Sequence, residues 1–249
     1  MHAILLAAGR GSRMGQSTRD KPKCLTPLLD QPLLAWQLAT LRTAGVADIH
    51  VVRGYRKELL PAEGFNTFDN DDWADTNMVA TLRCAAPILQ QHTSIVSYSD
   101  IVYHPDHIRA LTAAQGDIVI TYDRQWEALW RLRFNDPLAD AETFRQQDGR
   151  LLSIGERAGS IADIEGQYMG LLRFSPAGWA QVEAFLDTLT AERRARIDMT
   201  STLRGLLDRG VGICCLPVDG RWCEVDSEED ARRYEAQLDR PERWSHDWR

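Results

Sequence analysis

Within its first 55 residues the chain writes an apolar run, a glycine turn, an amphipathic stretch and a second apolar run, and that order demands a parallel sheet. "HAILLAA" is apolar at successive positions, as in a strand buried on both faces. "PLLAWQLATLRTAG" repeats Leu33, Leu34, Trp36, Leu38 and Leu41 at helical spacing and stops at Gly45. "ADIHVVRGY" is the next strand, so the unit is βαβ with a right-handed crossover. The alternation continues. "MVATLRCAAPIL", "HPDHIRALTAAQ" (opened by Pro105), "AGWAQVEAFLDTL" and "MTSTLRGLLDRG" read as helices. "TSIVSYSD", "DIVITYD", "GQYMGLLRFSP" and "VGICCLPV" read as strands, and "RWCEVDSEEDARRYEAQL" as a strand turning into a helix. "NTFDNDDWADTN" is polar enough to be a loop. From about residue 126 to 170 the pattern changes: "ALWRLRF" and "ETFRQQDGRLLSIGE" predict short antiparallel strands, with Asp148-Gly149 as a hairpin turn. The expected fold is α/β: a three-layer α/β/α, Rossmann-like arrangement with a mixed, mostly parallel sheet. One domain is expected over residues 1–240, with an antiparallel insert at about 126–170. Residues 241–249 form a charged, aromatic tail, read as loose or as an oligomer contact compatible with a homodimer.

Sheets of this kind bind ligands outside the carboxyl ends of their strands. The first such end carries "ILLAAGRGSRMG", whose glycines free backbone N–H groups beside Arg10 and Arg13. The dinucleotide fingerprint fits poorly, because Met14 stands where its third glycine belongs and no acidic residue closes a second strand about twenty residues on. A Walker loop would need a Lys-Ser or Lys-Thr pair after the glycines, and none follows. The turn is therefore read as an anion cradle of another kind, the bland alternative being a tight turn with no ligand.

Bulk properties narrow the partners. A chain of 249 residues with 44% hydrophobic side chains buries a substantial core. A net charge of −7 argues against a general nucleic-acid coat, though not against a local basic pocket. The five cysteines, Cys24, Cys84, Cys214, Cys215 and Cys223, are odd in number and lack C-x-x-C spacing, so neither a zinc site nor a disulfide framework is expected. No apolar stretch approaches the roughly 18 residues of a membrane span, and the first residues lack a signal peptide's charged lead. The expectation is a soluble cytoplasmic protein with no nucleic-acid or membrane partner.

Four features call for one explanation: the glycine turn with Arg13, the pair Lys21 and Lys23 in "KPKCL", Asp100 at a strand end, and Asp226 in "CEVDSEED". Each has a plain reading, the lysines as solvated charges and the aspartates as helix caps. Together, two carboxylates facing a phosphate cradle make a sensible Mg²⁺ site, since magnesium takes one or two carboxylates with waters and phosphates.

"ILLAAGRGSRMG…KPKCL" resembles the signature of nucleotidyltransferases that make activated sugars and alcohols from a nucleoside triphosphate and a phosphorylated acceptor. "NDDWADTNMVATL", "YSDIVY" and "WCEVDSEED" are similar to the bacterial phosphocholine cytidylyltransferase branch, which includes relatives acting on small phosphonates. The resemblance runs from residue 1 to about residue 240. It implies a nucleotidyltransferase fold and Mg²⁺-dependent transfer of CMP from CTP to a small anionic phospho-acceptor, with pyrophosphate released. It also implies roles. Leu6, Ala7, Ala8 and Gly9 would face base and ribose; Gly11, Ser12 and Arg13 would wrap the triphosphate; Asn77 and Ser99 would complete the nucleotide site. Arg13 and Lys23 would be catalytic, and Asp100 and Asp226 would hold Mg²⁺. The family's usual Asp-x-Asp is here Ser99-Asp100, which leaves Asp100 alone at that strand end. Two alternatives stay open: a uridylyl- or thymidylyltransferase acting on a sugar 1-phosphate, and a non-catalytic nucleotide-binding protein.

The acceptor is harder to read. Trp126, Glu127, Trp130, Tyr168, Trp222 and Glu224 could furnish an aromatic and acidic box for a choline head, or could equally be core. Arg131 and Arg133, on one face of a strand, would suit a carboxylate or second phosphate instead. Glu165 joins the acceptor-side candidates.

Overall fold

The computed structural model describes residues 1–11, 18–239 and 244–249. In chain order these form β1 (His2–Ala7), a ribbon of β2 (Pro27–Leu28) and β3 (Gln31–Pro32), α1 (Leu33–Thr43), β4 (Asp48–Arg53) and β5 (Asn66–Asp69). Next come α2 (Met78–Arg83), α3 (Ala86–Leu89), β6 (Ser94–Tyr98), β7 (Ile101–Tyr103), α4 (Pro105–Ala113), β8 (Ile118–Asp123) and α5 (Trp126–Arg133). The hairpin β9 (Glu142–Gln147) and β10 (Arg150–Arg157) follows, then β11 (Gln167–Phe174), α6 (Pro176–Leu186), α7 (Ala191–Arg196) and α8 (Met199–Leu207). The chain continues through β12 (Cys214–Val218), β13 (Trp222–Glu224) and α9 (Glu228–Gln237).

Among the described residues, nine strands join in one sheet in the order β5-β4-β1-β6-β11-β8-β12-β10-β9. Strands β5, β4, β1 and β6 run parallel, as do β8 and β12, while β11 lies antiparallel between β6 and β8. The sheet is mixed, with helices on both faces, as the α/β alternation required. Strand β1 shows why. Its Ala3, Leu5 and Ala7 join one core with Leu33 and Leu41 of α1, while Ile4 and Leu6 join another with Val79 and Leu82 of α2. Burial on both faces is what makes such strands apolar throughout rather than alternating.

The hairpin at Asp148-Gly149 forms as expected, both residues taking positive φ (51° and 74°) as a two-residue turn of that kind requires. Three expectations fail. Residues 126–133 are not a strand but helix α5: Trp126, Leu129, Trp130 and Arg133, at helical spacing, are its buried face. The polar loop conceals β5, an edge strand whose half-exposed position tolerates polar residues and so hides the strand signal. The tail is not loose where it is described: His246 and Trp248 are buried (0% and 1% exposed). The His246 ring lies 2.8 Å from the Asp123 carboxylate, which also accepts from the Trp222 indole at 3.0 Å.

Outside the main sheet, β7 and β13 form a small antiparallel ribbon with Glu224 opposite Ile101. The Val225 N–H donates to the Asp100 carbonyl at 2.8 Å. This ribbon carries Asp100, Glu224 and Asp226 to one place.

Candidate active site

Lys23 lies at the centre. Pro22 fixes the approach to a short 3₁₀ turn, Lys23–Leu25, and the lysine stem lies against Gly11. A Cβ at Gly11 would sit 2.7 Å from the Lys23 Cβ, and Gly11 has φ of +72°, so only glycine fits there comfortably. The Lys23 ammonium donates to Asp100 Oδ2 at 2.7 Å and to Asp226 Oδ1 at 2.5 Å. Burial works against its charge, but Asp100, Asp226 and Glu224 outweigh burial and hold its pKa above the ordinary value.

A second cation supports the carboxylates from behind. Arg133 of α5 donates to Glu224 Oε2 (2.7 Å) and Asp226 Oδ2 (2.9 Å), and its Nε lies 3.5 Å from Asp230. Asp230 in turn accepts from the Asp226 and Ser227 N–H groups, closing a capping box with Ser227 at the start of α9. Ser227, not Asp226, is therefore the helix cap, which leaves the Asp226 side chain to the site. Even with Arg133 beside it, burial pushes the Glu224 carboxyl up to about 7.

Asp100, Glu224 and Asp226 each offer an oxygen within 4.8 Å of the others. Asp100 Oδ1 is buried without a hydrogen-bond partner, an acceptor with an unmet need. An all-oxygen donor set with an unsatisfied carboxylate oxygen fits a hard divalent cation such as Mg²⁺.

Two cavities adjoin here, sharing Met78 and Tyr98 as common wall. The first, about 300 Å³, is lined by Leu6, Ala8, Gly9, Gly11, Lys23, Asn77, Ser99 and Asp100. Ala7, expected to face base and ribose, does not line it: strand alternation turns its side chain into the core on the α1 face of the sheet, opposite Leu6, while Ser12 and Arg13 lie outside the described residues. Asn77 caps α2 through its Oδ1 and donates its amide to the Arg196 carbonyl, so its orientation is fixed. Trp73, Thr76 and Thr81 also line this cavity, and sequence reading missed them because they sit in the segment taken for a loop and in the helix that follows it. The second cavity, about 250 Å³, has Glu224 and Asp226 in its wall with Trp130, Tyr168 and Trp222. Gly170 (φ +72°) lets β11 pass close to the Tyr98 ring, since a Cβ there would lie 2.5 Å from it.

The remaining acceptor-side candidates disperse. Trp126 is packed in the core. Arg131 is exposed and paired with Glu127 along α5, so it shares no face with Arg133. Glu165 accepts from the Gln146 N–H on the β9 side and does not line the cavity. Asp140, Glu142, Gln167, Asp198 and Thr200, which do line it, carry no linear motif.

Residues 3–187 match the MobA-like NTP transferase domain. The chain is 34% identical over 247 residues to CTP:phosphoglutamine cytidylyltransferase of Campylobacter jejuni, covering 92% of this chain and 97% of that protein. It is 32% identical over 114 residues to 2-aminoethylphosphonate cytidylyltransferase of Lancefieldella rimae, covering 43% of this chain and 46% of that protein. The solved CTP:phosphocholine cytidylyltransferase of Streptococcus pneumoniae superposes with a TM-score of 0.69 at 21% identity, over 95% of this chain and 98% of that one. A cradle of glycines, a buried lysine and converging carboxylates, on a chain matched over this span, place it in the MobA-like NTP transferase family, and the protein is a nucleotidyltransferase.

Proposed function

We propose that the chain transfers CMP from CTP to a small acceptor bearing a phosphorus oxyanion, and releases pyrophosphate. The observation that carries this reading is the pair of adjoining cavities with Lys23 at their boundary, bonded to Asp100 in the wall of one and Asp226 in the wall of the other. One cavity suits a nucleotide and the other a compact acceptor, and the relative matched over 97% of its own length is a cytidylyltransferase.

In this reading the nucleotide enters over Leu6, Ala8 and Gly9, and the backbone N–H groups of the glycine turn meet its phosphates. The acceptor oxygen is already anionic, so its lone pair attacks the α-phosphorus without a strong general base. A new P–O bond forms as the bond to the β-phosphate breaks, and pyrophosphate leaves with the electron pair. Lys23 offers positive charge where it builds in the transition state, and Arg13 is assigned the same task on the triphosphate. Asp100, Glu224 and Asp226 would hold Mg²⁺, whose chemistry is to polarise the phosphoryl oxygens and screen their charge. Arg133 keeps two of those carboxylates aimed.

The test is pyrophosphate release from each of the four NTPs with Mg²⁺ against phosphocholine, 2-aminoethylphosphonate, phosphoglutamine and glucose 1-phosphate. Release confined to CTP with a small acceptor is expected. Release with UTP or dTTP and glucose 1-phosphate would replace the reading, and none under any pairing would end it.

A further inference from the structure

Helix α1 buries Leu33, Leu34, Gln37, Thr40 and Leu41, and the most polar of these is Gln37. It is 1% exposed, and a primary amide in such a place costs stability unless its hydrogen bonds are met. The nitrogen meets them. Gln37 Nε2 donates to the Tyr98 carbonyl at 2.6 Å and to the Ile101 carbonyl at 2.8 Å, and lies 3.3 Å from the Ser97 hydroxyl. The nitrogen faces this way because the amide oxygen would set one acceptor against two others. Oε1 is left buried without a partner. A half-satisfied amide is a poor choice for a face that only has to pack, where an apolar side chain of the same length would serve.

The two carbonyls flank one turn. Strand β6 ends at Tyr98, Ser99 and Asp100 turn, and β7 begins at Ile101 and leaves the main sheet to pair with β13. From the other side the Val225 N–H holds the Asp100 carbonyl at 2.8 Å. The turn's backbone is therefore gripped from α1 and from the residue after β13. Both of its own residues, Ser99 and Asp100, line the nucleotide cavity, and Gln37 lines neither cavity. The Asp100 side chain, with Oδ2 on Lys23 and Oδ1 unmet, takes its direction from that backbone.

We propose that Gln37 is a positioning residue: it fixes the Ser99-Asp100 turn and so aims the Asp100 carboxylate at the place a divalent ion would take. The inference rests on the transferase reading and deepens it. Groups that orient a metal ligand, without binding the metal, change metal affinity or rate by about 10- to 100-fold when removed. Gln37 stands in that relation to Asp100 through the backbone at both ends of the turn, rather than through the carboxylate itself.

The experiment compares Gln37→Met, which keeps the side-chain length and removes both donors, with Thr40→Val. The second change removes the Thr40 hydroxyl's bond to the Tyr103 carbonyl (3.2 Å), made from the same helix but beyond the turn. Mn²⁺ affinity with CTP present and no acceptor is read by electron paramagnetic resonance, kcat by pyrophosphate release with Mg²⁺, and folding by Tm. Both variants should melt below the wild type. Gln37→Met alone should weaken Mn²⁺ binding about tenfold and lower kcat about 10- to 100-fold at temperatures where it is folded. Gln37→Asn keeps the amide one methylene short, should fall between, and carries the comparison if Gln37→Met does not fold. In an Asp100→Asn background, Gln37→Met should weaken Mn²⁺ binding no further, because its effect passes through Asp100. Unchanged Mn²⁺ affinity in both Gln37 variants, equal losses in Thr40→Val, additive losses in the Asp100→Asn background, or no Mn²⁺ binding by the wild-type chain overturns the positioning role, while wild-type pyrophosphate release keeps the transferase reading. No release by the wild-type chain under any pairing ends that reading instead, and the Mn²⁺ comparison still decides whether Gln37 aims Asp100.

Discussion

Lys23 holds two carboxylates that approach from positions 77 and 203 residues further along the chain. Lys23→Ala is expected to lower kcat by about 10²- to 10³-fold, as loss of a donor to developing charge does, with the fold intact by circular dichroism. His107 gives a second residue-scale prediction. Burial, and then the charges of His104 and Arg221, lower its pKa to about 4 from 6.5. The folded chain therefore resists protonation that the unfolded chain accepts below about pH 6.5. The stability from neutral His107 is complete above that pH and is lost as pH falls toward 4, by about 2 kcal/mol at about pH 5. Urea midpoints at the two pH values should show this loss, and His107→Leu should remove most of it, with His2 and His50, whose pKa values burial also lowers, accounting for a remainder. Residues that sit in a local motif were legible. Gly11 and Lys23 announce themselves by spacing, and Asp100 and Asp226 by their place at strand ends. Asp140, Glu142 and Asp198 were not legible as a group, because only folding brings these isolated charges to one cavity.

Helix α5 shows what decides an element. Its sequence "WEALWRLR" can be read as alternating, yet Trp126, Leu129, Trp130 and Arg133 satisfy the helical period, and burial of that face settles the matter. The consequence is chemical: a strand would have aimed Arg131 and Arg133 together at a ligand, whereas the helix buries one and exposes the other. Arg133→Ala would leave Lys23 as the remaining cation for Glu224 and Asp226 and none paired with Asp230, and should cost about 3–5 kcal/mol in a denaturant titration. Arg133→Lys should restore only part of that, since one ammonium cannot meet three carboxylates from the three guanidinium nitrogens. The βαβ core was legible throughout for the opposite reason. Strands buried on two faces and helices buried on one leave strong, distinct periodicities.

At the scale of the whole molecule, the segment 244–249 is a clasp. His246 and Trp222 share Asp123 Oδ2, while the N–H groups of Gly220 and Gln125 take Oδ1, so all four fix a carboxylate that is 0% exposed. His246→Ala should destabilise the protein by about 2–4 kcal/mol, read as a fall in Tm. A fall in kcat at temperatures where the variant stays folded should accompany it, because β13 carries Trp222 and Glu224 into the wall of the second cavity. His246→Ala combined with Asp123→Asn should cost less than the sum of the two changes made singly.

The placement of the Lys23 ammonium between Asp100 and Asp226 also bears on handling. Those carboxylates would otherwise repel one another whenever no divalent ion is at hand, and the strand ends bearing them would be pushed apart. With an internal counterion already seated, a preparation stripped by a chelator should keep its melting temperature within about 2 °C of the untreated sample, lose turnover, and regain it at once when magnesium is returned. Loss of the ion is therefore expected to cost turnover rather than folded structure.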